Sequence, residues 1–121
     1  MDFNSVLFLI SGVVVGIVAA FSGLGGGIII VPLLLFMGFS AQKAVGTSFL
    51  AILIIAVSAL FAHHKLANLD VKTGLLIGIG GIVGAQIGAY LVEHASTEIF
   101  KKIFALLLFG IAAYIFLKKE S

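Results

Sequence analysis

The chain has 121 residues, 62% hydrophobic and 10% charged, with a mean hydropathy of +1.33. Soluble domains carry about a quarter charged residues, and so short a chain has too little interior to hide this much apolar surface, so a soluble globular domain is excluded. The formal net charge of +2 sits at the edges of apolar stretches and reads as interface anchoring, not nucleic-acid binding; without cysteine there is no disulfide framework and no thiolate metal site.

No Lys or Arg precedes the first apolar stretch and no small-residue cleavage site follows it, so that stretch is expected to stay in the mature protein and not to leave as a signal peptide. Residues 5–21 read as the first helix. Then Gly23-Leu24-Gly25-Gly26-Gly27 places four glycines in five residues, a poor helix interior. Residues 28–39, beginning at Ile28, are apolar but cover only about 18 Å as a helix, little more than half the hydrocarbon core. Pro32 falls in the first turns of this piece, where a missing N–H costs least. Whether the piece spans the membrane or re-enters stays open.

Ser40 is a suitable N-cap for a helix over 41–62. His63, His64, Lys65, Asn68 and Asp70 then mark a polar loop. A helix over 71–92 follows, flanked by Asp70 and Glu93, which are expected to be solvated. Ser96 or Thr97 caps a last helix over 98–117. The charge-free intervals Lys43–Lys65 and Lys72–Glu93 each fit one membrane span, and Lys102 and Lys118 can snorkel from the ends of the last. The expected fold is all-α: an integral membrane bundle of about four spanning helices plus a short broken or half helix after the Gly-rich break. Residues 1–121 form a single transmembrane domain.

Glycines four apart recur at Gly12 and Gly16, at Gly74 and Gly78, and at Gly80, Gly84 and Gly88, with Gly81, Ala85 and Ala89 on an adjoining stripe. Small residues at this spacing let helix backbones approach closely in lipid.

The break is the most informative feature. Irregular backbone at membrane depth needs shelter in protein or in a watery cavity, and discontinuous helices mark transporter substrate sites. The piece starting near Ile28 presents free N–H groups and the positive end of its dipole, and Gly25, Gly26 and Gly27 leave those groups unobstructed for an anion. A tight turn between two helices is the plainer reading.

Ala44-Val45-Gly46-Thr47-Ser48 is a second candidate: Lys43, Thr47 and Ser48 lie early in a helix, where the hydroxyls either bind an anion or bond the preceding turn. Two helix starts, near 28 and 41–44, are expected to aim at one point. Gln86, strongly polar inside an apolar span, either contacts substrate or bonds a neighbouring helix. His63 and His64 diverge by about 100° on a helix end and do not share a metal readily; an interfacial position is favoured over a proton relay.

Two soluble motifs fail. Ile28 stands where G-x-G-x-x-G needs its third glycine, and Gly46-Thr47-Ser48 lacks the P-loop's preceding residues. No nucleophile–base–acid set is visible, so neither enzyme chemistry, nor a cofactor, nor a metal site is expected.

Gly23-Leu24-Gly25-Gly26-Gly27-Ile28 with Val31-Pro32, then Ala44-Val45-Gly46-Thr47-Ser48 and a glycine-laden later helix, resembles the sulfite exporter TauE/SafE family over about residues 10–117. The resemblance implies a multi-pass transporter of the cell membrane for sulfite or related organosulfur anions. By the same resemblance Gly25, Gly26, Gly27 and Pro32 match one motif, and Thr47 and Ser48 the other. Members are typically about twice as long, with two homologous halves. Transport, passive or proton-coupled, of a small anion by a homodimer is therefore expected, with a non-transporting membrane subunit as the alternative. Three lysines fall on one side of the membrane and four on the other, too even to fix orientation, so an antiparallel pair is slightly favoured.

Overall fold

The computed structural model describes residues 2–118. It holds five helices: α1 Phe3–Ser22, α2 Gly27–Phe36, α3 Ala41–Lys65, α4 Val71–Glu93 and α5 Thr97–Leu117. All but α2 are long and apolar enough to cross a membrane. With 10 residues, α2 is about 15 Å long and cannot span.

Four of the five helices start at a side-chain cap. Asp2 accepts from Ser5 N–H at 3.0 Å and Ser40 from Lys43 N–H at 3.3 Å; Asp70 accepts from Thr73 N–H at 3.1 Å and Ser96 from Ile99 N–H at 3.2 Å. These bonds satisfy donors that no helix can satisfy for itself. Asp70 is therefore a working cap and not merely a solvated flank, and Ser96, not Thr97, caps α5. The side chain of α2's cap residue, Gly26, offers nothing.

Helix ends differ from the sequence expectation in two places. α3 continues through His63, His64 and Lys65, because cationic and polar side chains suit the negative end of a helix and leave its backbone undisturbed. It closes in a Schellman turn: Asn68 N–H reaches His63 O at 3.0 Å and Ala67 N–H reaches His64 O at 3.0 Å, with Ala67 left-handed at φ 57°. α2 stops at Phe36 in the same way, through Phe39 N–H to Leu34 O and Gly38 N–H to Leu35 O, with Gly38 at φ 96°.

The core lies where α2 packs against α1 and α3. Val15, Ile30, Val31, Leu34 and Ala44 are buried there, with Phe100 and Phe104 of α5 against them. α3 runs parallel to α1, since His63 reaches Ala20, and α2 returns antiparallel to both towards the side where α3 begins. The chain from α1 to α3 thus enters the membrane and comes back, so the piece after the break re-enters and does not span.

α4 stands apart: none of its residues is buried. A β-carbon built on any of Gly74, Gly78, Gly80, Gly81, Gly84 or Gly88 would meet nothing within 4 Å, and the same holds for Gly12 and Gly16. Among the described residues the small-residue stripes therefore make no close helix packing, contrary to the simplest expectation from their spacing.

Candidate functional site

Three consecutive features build the break. α1 ends with Gly23 at φ 78°, whose N–H closes on Ala19 O at 2.7 Å. The Ser22 hydroxyl donates to Val18 O at 2.7 Å and accepts from Leu24 N–H at 3.3 Å. Gly25 and Gly26 then turn the chain at φ 76° and 87°.

Gly26 is where glycine is required twice over. Its φ is left-handed, and an added β-carbon would come within 2.7 Å of Val15 Cγ1 and 3.7 Å of Ala19 Cβ. It is buried against α1, so its part is to bring the backbone close and not to line a cavity. Gly25 and Gly27 face α3: a β-carbon added at either would lie 3.5 or 3.4 Å from the Ile52 side chain.

Ile52 lies about midway along α3, so the start of α2 sits at depth, roughly 17 Å from the start of α3. There, among the described residues, the backbone N–H groups of Gly25, Gly26, Gly27 and Ile28 find no acceptor; the first bonds of α2 run from Ile29 and Ile30 to Gly26 O. Pro32 stands further on, at the sixth position of α2. Without an N–H, it also removes the bond that the Ile28 carbonyl would receive. Free donors at a helix's positive end have the chemistry to attract an anion.

Two clefts flank this point. One, of about 350 Å³, is lined by Gly23 and Gly25 of the break, Ala19 and Ala20 of α1, Ile55, Ala59 and His63 of α3, and Asn68. His63 Nε2 lies 2.9 Å from Ala20 O and its Nδ1 lies 3.0 Å from Asn68 Nδ2. A carbonyl only accepts, so Nε2 carries the proton and Nδ1 receives the Asn68 amide N–H. The second cleft, about 290 Å³, is apolar except for Thr47, and runs along Phe8, Gly12, Val15, Ile30 and Ala51.

The structure thus separates some of the residues grouped from sequence. Gly25 and Thr47 line different clefts that share Ile55. Ser48 is buried at 2% exposure and spends its hydroxyl on Val45 O at 2.7 Å. Lys43 is exposed in the first turn of α3, at the membrane edge, and Gln86 is exposed on α4, away from both clefts. The two helix starts do not aim at one point: α2 runs antiparallel to α3, which sets their positive ends far apart.

Sequence reasoning passed over Gln42 and read Thr97 only as a possible cap. Gln42 Nε2 donates to Val92 O at 2.9 Å and Ala95 O at 2.8 Å, and the Thr97 hydroxyl accepts from Ala41 N–H at 3.1 Å. Together they pin the far end of α4 and the start of α5 to α3.

A model of the family described as Sulfite exporter TauE/SafE matches residues 8–121. The chain belongs to the sulfite exporter TauE/SafE family. Curated relatives agree. "Probable membrane transporter protein YunE" of Bacillus subtilis (strain 168) is 33% identical over 124 residues, covering 96% of this chain and 45% of the relative. A "Probable membrane transporter protein" of Haemophilus influenzae is 32% identical over 124 residues, covering 99% of this chain and 46% of the relative. No solved structure matches. The chain spans about half the length of the curated relatives it matches. It is a multi-pass membrane protein of the TauE/SafE family, and its four long apolar helices fit that placement.

Proposed function

We propose that the chain acts as one transmembrane half of a transporter for a small anion, sulfite or a related organosulfonate. The observation that carries this reading is the unbroken run of free N–H groups from Gly25 to Ile28, held at depth at the positive end of α2. An oxyanion placed there exchanges hydration for backbone donors that are already fixed and are not needed by the helix. Gly27 and Gly25 keep the approach open, and Pro32 loosens the first turns. Thr47 is the one hydroxyl in the neighbouring apolar cleft and supplies a second polar station. Lys43 adds long-range attraction at the membrane edge.

The other half of the wall comes, in this reading, from a second copy, favoured in the antiparallel sense that reproduces the inverted repeats of many transporters. The reason is the unburied state of α4 and the open glycine stripes, which leave the break without a complete enclosure in one chain. The same observation supports one alternative, a non-transporting membrane subunit that packs against a different protein.

Purified protein in liposomes, offered sulfite, thiosulfate and small sulfonates in turn, decides between them. Uptake of at least one, with a rise in melting temperature on adding it, is expected. Absence of both effects across the panel overturns transport and leaves the subunit reading.

A further inference from the structure

Gln86 is the one amide within the long apolar run of α4, and it points outward. It lies on a stripe with Leu75, Ile79, Ile82 and Tyr90, spaced three and four apart; these four are 61–65% exposed. The face of α4 turned towards α3 carries Gly84, Ala85, Gly88, Ala89 and Val92, centred about a third of a turn from Gln86, and only Glu93 at its end shares the Gln86 stripe. Among the described residues Gln86 makes no hydrogen bond. An unpaired amide facing hydrocarbon is costly, and lipid offers it nothing.

We infer that the Gln86 stripe of α4 is a seam against a second copy of this chain, with the two Gln86 amides hydrogen-bonded to each other. This rests on the two-copy reading above and names its contact face. A carboxamide carries both donors and acceptors, so its complement under two-fold symmetry is an identical amide. Neither an apolar helix nor a lipid chain would satisfy it. Its depth suits the antiparallel pair: Ile82 is the midpoint of α4, and a helical side chain leans back about one turn towards the N-terminus, which brings the Gln86 amide to the level of Ile82. A two-fold axis in the membrane plane then carries one amide onto the other.

The chain has no cysteine, so single-cysteine variants report cleanly. In vesicles, Gln86→Cys is expected to oxidise to a covalent dimer of twice the chain mass, while Ile77→Cys, on the opposite face of α4, stays monomeric. Gln86→Leu, which inserts at least as readily, is expected to loosen self-association about tenfold, the effect of one interhelical polar contact. A dimer in which Gln86→Cys crosslinks no better than Ile77→Cys, or Gln86→Leu associates as tightly as wild type, overturns the seam and leaves the two-copy reading standing. A monomeric mass for the wild type, in membranes and in mild detergent, overturns both. Crosslinking to a protein of another mass replaces the second copy by a different partner and overturns the inference.

Discussion

His63 donates through Nε2 to the carbonyl of Ala20, 2.9 Å away, and so ties the end of α3 to the last turn of α1 across the mouth of the cleft that holds Gly25. The bond completes a sequence in which the last carbonyls of α1 find separate donors: Ser22 Oγ for Val18, Gly23 N–H for Ala19, His63 for Ala20. Replacing His63 by Phe keeps the ring and removes both nitrogens. Ala20 O and the Asn68 amide then lose their partners, and the expected loss is about 1–3 kcal/mol. Melting of the variant in detergent checks it. An unchanged melting temperature means that the tie does not hold the two helices.

Gly26 and Gly27 separate the structural from the functional demands of the break. Gly26→Ala forces a β-carbon into left-handed backbone and against Val15, at a cost of about 1–2 kcal/mol for the conformation and a further ~1–3 for overpacking. Gly27 has ordinary helical backbone, and its added carbon meets only the flexible end of Ile52 at 3.4 Å. Gly27→Ala is therefore expected to fold and insert normally while crowding the free N–H groups. The measurement is melting temperature beside anion uptake for both variants. A Gly27→Ala protein with wild-type uptake moves the anion site elsewhere.

Much of the architecture is legible in the residues. Charge-free intervals locate the spans, Ser40 announces α3, and four glycines in five residues announce the break. What sequence does not carry is which ends meet. Gln42 with Val92, Ala41 with Thr97, and His63 with Ala20 pair across 50, 56 and 43 residues, and such pairs leave no local periodicity. The expected convergence of two helix starts failed for a related reason. Each start has the right chemistry, but a short antiparallel α2 inserted between them sets the distance, and composition does not encode direction. Gln86 was visible as a polar residue in an apolar span, yet only the fold shows which face of α4 it occupies.

Asp70 gives a dependence on pH with a definite sign. Hydrogen bonds from Thr73, the backbone N–H foremost, hold its carboxyl below the ordinary value of 3.8. A carboxyl whose folded pKa is depressed stabilises the fold in its charged form. That contribution is full above the unfolded value and is lost as pH falls through the lower, folded value. The wild type is therefore expected to lose stability on acidification below about pH 4. Asp70→Asn keeps a capping oxygen without the charge and is expected to lack this part of the acid loss. Melting curves of both proteins from neutral pH downward test it; parallel curves would remove Asp70 from the account.

Gln42 is the main polar tie between α3 and the end of α4. Its amide nitrogen serves two carbonyls at once: Val92 O, which also receives the Ala95 N–H, and Ala95 O just past the helix end. Since no residue of α4 is buried, little else in one chain fixes that end of the helix, and a groove of about 550 Å³ opens between it and α3. Gln42→Ala removes two hydrogen bonds worth about 1 kcal/mol each and leaves Ala95 O to water at the membrane edge, while Val92 O keeps its bond from Ala95 N–H. Global melting is expected to fall by about 1–2 kcal/mol. The sharper consequence is local. Hydrogen exchange at the backbone of residues 92–96 is expected to accelerate well beyond the rate at the core residues Ile30 and Val31, because the end of α4 opens without unfolding the packing of α1, α2 and α3. If exchange at 92–96 stays at the wild-type rate in Gln42→Ala, then contacts from a neighbouring chain, and not Gln42, hold α4 in place.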